Sequence, residues 1–111
     1  MFGAVLGRNA RLRFNGAFST TSASSPVTSA TRTCLRGGTV LFNIVAEFAD
    51  LEYSKNGGAW TDITEGLTLA FAMSDTLAVR DTLPSASDES IFTLKDDANS
   101  VLIETVTLTR S

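Results

Sequence analysis

The sequence predicts an all-β fold, a small β-sandwich of about seven short strands. Apolar and polar side chains alternate with a period of two in several stretches beyond residue 38, which is the pattern of half-buried strands. Turn-forming residues separate these stretches at intervals of roughly ten residues, a spacing typical of sandwiches and barrels. No stretch shows the period of an amphipathic helix. The 111 residues suffice for one domain.

Seven stretches account for the predicted strands. They are residues 39–48, 51–53, 60–63, 67–71, 77–80, 92–95 and 105–109. Asn56-Gly57 lies between the second and the third, and it favours a tight hairpin because both residues tolerate positive φ. The alternation changes phase near Ile103, which predicts a β-bulge. One face of these strands supplies the predicted core, with Phe42, Ile44, Trp60, Leu69, Val79, Phe92 and Val106.

Charge divides the chain at residue 37. Residues 1–37 contain five arginines and no acid, whereas residues 38–111 contain four basic and twelve acidic residues, so their net charges are +5 and −8. The stretch 19–33 is rich in serine and threonine, and it has too little apolar surface to form a compact structure alone. We therefore expect an extended basic N-terminal arm over residues 1–37 and an acidic sandwich domain over 38–111.

The expected arm carries side chains suited to binding protein. Its apolar residues would anchor it, and its arginines would pair with acids on a partner or on a neighbouring copy. These residues are Phe2, Leu6, Arg8, Arg11, Leu12, Arg13, Phe14, Phe18, Arg32 and Arg36. A nucleic acid is a weaker candidate, since the arm has no lysine and phosphate would repel the acidic domain. The same arginine- and serine-rich, acid-free composition is typical of mitochondrial transit peptides.

The composition argues against most classes of enzyme. Histidine, the commonest general base and metal ligand, is absent from the sequence. The single cysteine, Cys34, allows two interpretations. Arg32 and Arg36 nearby would activate its thiol, whereas a free cysteine more often acts as a small buried apolar residue.

Paired carboxylates are the remaining candidates for chemistry. Asp88-Glu89 and Asp96-Asp97 have the groups needed for Ca²⁺ binding or glycoside hydrolysis, but they lack the ligand spacing of a calcium loop. We interpret these carboxylates as charged side chains of solvent-exposed loops. We expect no catalytic residue, no metal and no cofactor. No apolar run reaches the ~18–20 residues of a membrane span.

Two motifs in the acidic domain match a known module. Residues 53–61 read Y-S-K-N-G-G-A-W-T and residues 74–80 read S-D-T-L-A-V-R, close to the patterns S-x-N-G-G-x-W and G-D-T-v-x-v-R. With the closing E-T-V-T-L-T of residues 104–109, the domain resembles an immunoglobulin-like β-sandwich module of tailed-phage structural proteins and bacterial surface proteins. Ser74 stands where the module has glycine, and residues 96–99 lack its glycine pair.

The resemblance implies an immunoglobulin-like sandwich without an active site. It implies structural roles in core and turns for Asn56, Gly57, Trp60, Asp75 and Arg80, and Arg80 is expected to bond Asp75, Asp81 or a turn carbonyl. We expect a non-enzymatic virion structural protein, most specifically a capsid decoration (cement) protein on the capsid surface of a tailed phage. Its partners would be the major capsid protein, other virion subunits and neighbouring copies of itself.

Two alternatives remain open at this point. One is a component of a phage tail, baseplate or fibre. The other is a carbohydrate- or surface-binding module that would expose the rings of Trp60 and Tyr53 on one face.

Overall fold

The computed structural model describes residues 11–111, which form eleven strands and no helix. The strands are β1 (Arg13–Phe14), β2 (Thr20–Ser22), β3 (Val27–Thr28), β4 (Arg32–Arg36), β5 (Gly38–Ala46), β6 (Leu51–Lys55), β7 (Thr61–Asp62), β8 (Thr68–Phe71), β9 (Thr76–Asp81), β10 (Glu89–Asp96) and β11 (Val101–Arg110). Within these residues no helix is long and apolar enough to cross a membrane. The all-β prediction is confirmed, and strands β5 to β11 are the seven expected from the alternation.

The strands form two sheets that pack as a sandwich. The six-stranded sheet has the order β1-β4-β9-β6-β7, with β3 also paired to β9, and the five-stranded sheet has the order β2-β11-β10-β5-β8. All pairs are antiparallel except β2 with β11. Consecutive strands often lie in different sheets, so the chain crosses repeatedly from one layer to the other. This places the turns at the two ends of the sandwich.

Two local predictions are confirmed. Asn56 and Gly57 have φ angles of 54° and 72°, and the N–H of Gly58 donates to the carbonyl of Lys55, as a type I′ hairpin turn requires. In β11 the pairing steps from Leu94↔Glu104 to Lys95↔Leu102, so Ile103 has no residue opposite it. This is the expected bulge.

The core follows from the alternation in most positions. Phe42, Val79, Phe92 and Val106 are fully buried, and the rings of Phe42 and Phe92 lie 6.1 Å apart. Ile44 and Leu69 are half-buried and pack against this core. Trp60 lies outside it, which differs from the expectation and is explained with its contacts below.

The N-terminal segment differs most from the prediction. Residues 11–37 are not an extended arm: they supply β1 to β4 to both sheets, and Leu12, Phe14, Phe18, Val27 and Cys34 are buried in the common core. The stretch is too polar to form a core alone, but its few apolar side chains fill a core that the rest of the chain builds. The expected anchors Phe2, Leu6 and Arg8 lie outside the described residues.

Candidate binding surfaces

Trp60 lies on the outer face of the six-stranded sheet. It precedes β7, and its ring lies under the guanidinium of Arg80, with 4.2 Å from the guanidinium carbon to the ring centroid. Arg80 Nε donates to Glu52 Oε1 at 2.8 Å, across the register pair Glu52↔Arg80. Arg80 therefore has a structural partner, although it is a cross-strand acid and not one of the partners expected from sequence. Trp60 is half-buried and not fully buried because it packs on this ion pair and not between the sheets.

Tyr53 lies on the opposite face of the same sheet. It is opposite Val79 in the register, and its ring stacks on that of Phe42 at 6.3 Å within the sandwich. Tyr53 and Trp60 thus cannot form one exposed aromatic platform. The geometry does not favour the carbohydrate-binding alternative.

Replacement of Trp60 tests this arrangement. We expect Trp60→Ala to lower the free energy of unfolding by about 1–2 kcal/mol, the range for a cation–π contact between partly buried groups. Urea denaturation measures the effect, and Trp60→Phe, which keeps a ring under Arg80, should recover about half of it. A loss of about 3–5 kcal/mol, typical of a fully buried tryptophan, would contradict the half-buried placement.

Asn56 and Asp75 hold two turns together. Asn56 Oδ1 accepts from the N–H of Thr76 at 2.8 Å, and Asn56 Nδ2 donates to Asp75 at 3.2 Å. Asp75 also accepts from the N–H of Ala72 at 2.8 Å and lies 3.9 Å from Lys55 Nζ. The hydrogen bond from the N–H of Ala72, with the one from Asn56 Nδ2 and the charge of Lys55, lowers the pKa of Asp75. These contacts make both residues structural.

Asp96 attaches the start of the described chain to the sandwich. Its buried carboxylate accepts from the backbone N–H groups of Arg11 at 2.7 Å, Leu12 at 3.2 Å and Ala98 at 3.1 Å. Burial alone would raise its pKa, but these hydrogen bonds and the charge of Arg11 outweigh burial and lower it. Asp96 is therefore a structural acceptor and not half of a calcium or acid–base pair with Asp97.

Acid should destabilise the sandwich through this group. Because the pKa of Asp96 is lower in the folded state, its stabilising contribution is present above the unfolded value of about 3.9 and is lost as the pH falls through the folded pKa. We expect the free energy of unfolding to fall below about pH 4. The free energy of unfolding of Asp96→Asn should be lower at neutral pH and should depend less on pH. Asp97→Asn, which changes an exposed residue, should show the same pH dependence as the wild type. Parallel pH curves for Asp96→Asn and wild type would contradict this role.

Cys34 is a buried core residue. Its Sγ donates to the carbonyl of Arg36 at 3.1 Å, and burial raises the pKa of its thiol. The neighbouring arginines do not activate it. In the described part of the chain, no group of three or more cysteine, aspartate or glutamate side chains is placed to hold a metal ion.

A surface cleft of about 270 Å³ lies between residues 13–18 and β11. Glu104 lines it, but its carboxylate accepts from the N–H of Phe18 at 2.8 Å and from the N–H and hydroxyl of Ser19 at 3.0 and 2.9 Å. These bonds tie the N-terminal segment to the bulged region of β11. Glu104 is the one carboxylate among the described residues that line the cleft, and it is engaged in these hydrogen bonds.

Arg13 and Arg36 form the most unusual feature of the surface. They lie directly opposite each other in the pair β1–β4, and both are exposed. Like charges in this position destabilise a strand pair. The ion pairs among the described residues are Lys55–Asp75 and Arg80–Glu52, so neither arginine has a carboxylate partner there. Arg32, in contrast, donates to the carbonyl of Ala17 at 2.7 Å and is part of the fold.

Exposed apolar side chains adjoin these arginines. Leu35 is the bulged residue of β4, and Met73 lies beside this strand because the N–H of Ser74 donates to the carbonyl of Cys34. Their exposures are 43% and 70%. We call this surface the basic end; it consists of Arg11, Arg13, Leu35, Arg36 and Met73. Of the acids nearby, Asp75 and Asp96 are engaged as described, and Asp97 is exposed.

The opposite end of the strands has the opposite charge. It is formed where β5 ends, β6 begins and β10 begins, and we call it the acidic end: Val45, Glu47, Phe48, Asp50 and Glu89. Val45 and Phe48 are 63% and 55% exposed. Arg110 is the cation at this end among the described residues, and its guanidinium donates to the carbonyls of Ala23, Leu83 and Pro84.

Three residues of the basic end are among those expected from sequence to bind a partner. Arg11, Arg13 and Arg36 were expected to bind a partner and are exposed, whereas Leu12, Phe14 and Phe18 are core residues. Leu35, Met73, Val45 and Phe48 were not singled out, because an apolar residue beside a turn gives no local sign of its exposure. Comparison of the chain with protein-family models, with curated proteins and with solved structures finds no match.

Proposed function

We propose that this protein is a non-enzymatic structural protein that assembles with other protein subunits, most specifically a capsid decoration protein of a tailed phage. The observation that carries the proposal is the basic end. There, two arginines face each other beside exposed Leu35 and Met73, and neither has a carboxylate partner among the described residues. Such a pair costs stability, and an acidic partner surface would offset that cost.

The basic end suits a protein partner better than a nucleic acid. Apolar side chains lie among its arginines, and the rest of the molecule is acidic, which opposes approach to phosphate. The partner is therefore an acidic, partly apolar patch on a major capsid protein or another virion subunit. Docking uses the folded edge formed by β1 and β4 and not an extended arm, at least over residues 11–37. A tail, baseplate or fibre subunit would present the same kind of patch and is the second candidate.

Particle association tests the proposal. Tailed-phage particles from cells that encode this chain are separated on a density gradient, and the chain is located in the fractions and on the particle by cryo-electron microscopy. We expect it on the capsid, with Arg36→Glu lowering its occupancy at least about tenfold. Lys95→Glu, which changes the charge equally at a residue that is not part of the basic end and whose side chain interacts with Glu65, should bind as the wild type does. A folded chain that stays free while capsids are present would contradict the proposal, and a position on the tail would favour the second candidate.

A further inference from the structure

We propose that a second copy of this chain is a partner of the basic end, which docks on the acidic end of that copy. The inference deepens the proposed function and rests on it, since it names one subunit with which the protein assembles. It starts from the topology. The crossing of the chain between sheets places the β4–β5 junction, with Arg36, at one end of the strands and the β5–β6 connection, with Glu47, at the other.

The two ends are complementary in charge. The basic end exposes Arg11, Arg13 and Arg36, none of which has an ion pair among residues 11–111. The acidic end exposes Glu47, Asp50 and Glu89, which likewise have no ion pair there. Glu47 accepts from the N–H of Leu51 and Glu89 from the hydroxyl of Thr109, but neither carboxylate is neutralised by a cation among the described residues. Opposite charges without an ion pair in this part of the chain are available to pair between molecules.

The two ends are also complementary in apolar surface. Leu35 and Met73 lie among the arginines, while Val45 and Phe48 lie among the acids. Contact between the ends would bury apolar side chains on both sides and surround them with charged residues. An apolar centre with a charged rim is the usual composition of a protein–protein interface.

The predicted contact is heterologous, because different surfaces of the two copies meet. Such a pair keeps one free acidic end, on one copy, and one free basic end, on the other. Addition therefore continues until a ring closes or a filament grows, and it does not stop at a symmetric dimer. Copies that contact one another head to tail would cross-link neighbouring sites on a particle surface.

Sedimentation velocity of the purified full chain tests the inference. At about 20 mM salt we expect the average mass to rise with concentration beyond that of a dimer, and at about 0.5 M salt to approach the 11.8 kDa monomer, because salt screens the charges. Arg36→Glu and Asp50→Lys should each raise the dissociation constant at least about tenfold. Circular dichroism checks that both variants are folded, and Lys95→Glu, which alters neither end, should associate as the wild type does.

Mixing the variants gives the sharper result. Arg36→Glu keeps an intact acidic end and Asp50→Lys keeps an intact basic end, so an equimolar mixture should form one-to-one pairs that cannot extend. A wild type that stays monomeric at low salt, or a dimer that neither substitution weakens, would overturn the inference. If Asp50→Lys occupies particles as the wild type does while the wild type does not self-associate, this inference fails and the proposed function stands. If Arg36→Glu also binds particles normally, the docking surface in the proposed function is wrong as well.

Discussion

A chain lacking residues 1–18 is expected not to fold. The deletion removes Leu12, Phe14 and Phe18, which are 1%, 8% and 1% exposed. At about 1.5–3 kcal/mol for each buried side chain, the loss is about 5–9 kcal/mol, which is comparable to the whole stability of a small domain. It also removes the N–H groups of Arg11, Leu12 and Phe18, so the carboxylates of Asp96 and Glu104 would each lose part of their hydrogen bonds.

Circular dichroism and urea denaturation of the purified truncated chain measure this effect. A chain that starts at residue 11 keeps all three side chains and is the matched control. The substitution Phe18→Ala isolates one contact and should cost about 3–5 kcal/mol. If the chain lacking residues 1–18 unfolded cooperatively at the wild-type urea concentration, the N-terminal segment would be an independent arm after all.

Loss of the Asp81 carboxylate is expected to have the second largest effect. Asp81 is fully buried; its Oδ1 accepts from the N–H of Asp50 at 2.7 Å and its Oδ2 from the hydroxyl of Ser90 at 2.6 Å. Ser90 Oγ in turn accepts from the N–H of Phe48 at 2.9 Å. The network connects β9, β10 and the β5–β6 connection. Asp81→Ala removes two hydrogen bonds to a charged group, each contributing about 1.5–3 kcal/mol, so we expect a loss of about 3–6 kcal/mol.

The measurement is the free energy of unfolding from urea titration at neutral pH. Asp62→Ala, at an exposed position, is the control and should change it by less than about 0.5 kcal/mol. Asp81→Asn keeps one acceptor oxygen and should lie between the two. An Asp81→Ala variant as stable as Asp62→Ala would show that the β5–β6 connection is held by other contacts.

Features that depend on local geometry were predictable from sequence. The alternation of residues 39–48 predicted β5, Asn56-Gly57 predicted the hairpin turn, and the change of phase predicted the bulge at Ile103. Each depends on neighbouring residues only, because backbone φ and the side-chain period of a strand are properties of a short segment. The sign of the charge in the two parts of the chain is likewise a property of composition.

Features that depend on distant residues were not predictable in this way. Phe14 and Phe18 lie in a polar segment, and only their packing against the rest of the chain buries them: the ring of Phe14 meets that of Phe71 at 5.3 Å. Tryptophan is a residue type expected in a sandwich core, but Trp60 packs outside the core on Arg80 of the cross-strand pair Glu52–Arg80.

By itself, the sequence determined the fold class, the seven main strands, their turns and the lack of a histidine-based catalytic set. Only the tertiary structure decided that residues 11–37 belong to the sandwich, that Asp81 and Asp96 are structural acceptors, and that opposite charges collect at opposite ends. The physical reason is that burial and the pairing of charges are set by contacts between segments far apart in the chain. A period of two or a turn dipeptide, in contrast, is complete within a few residues.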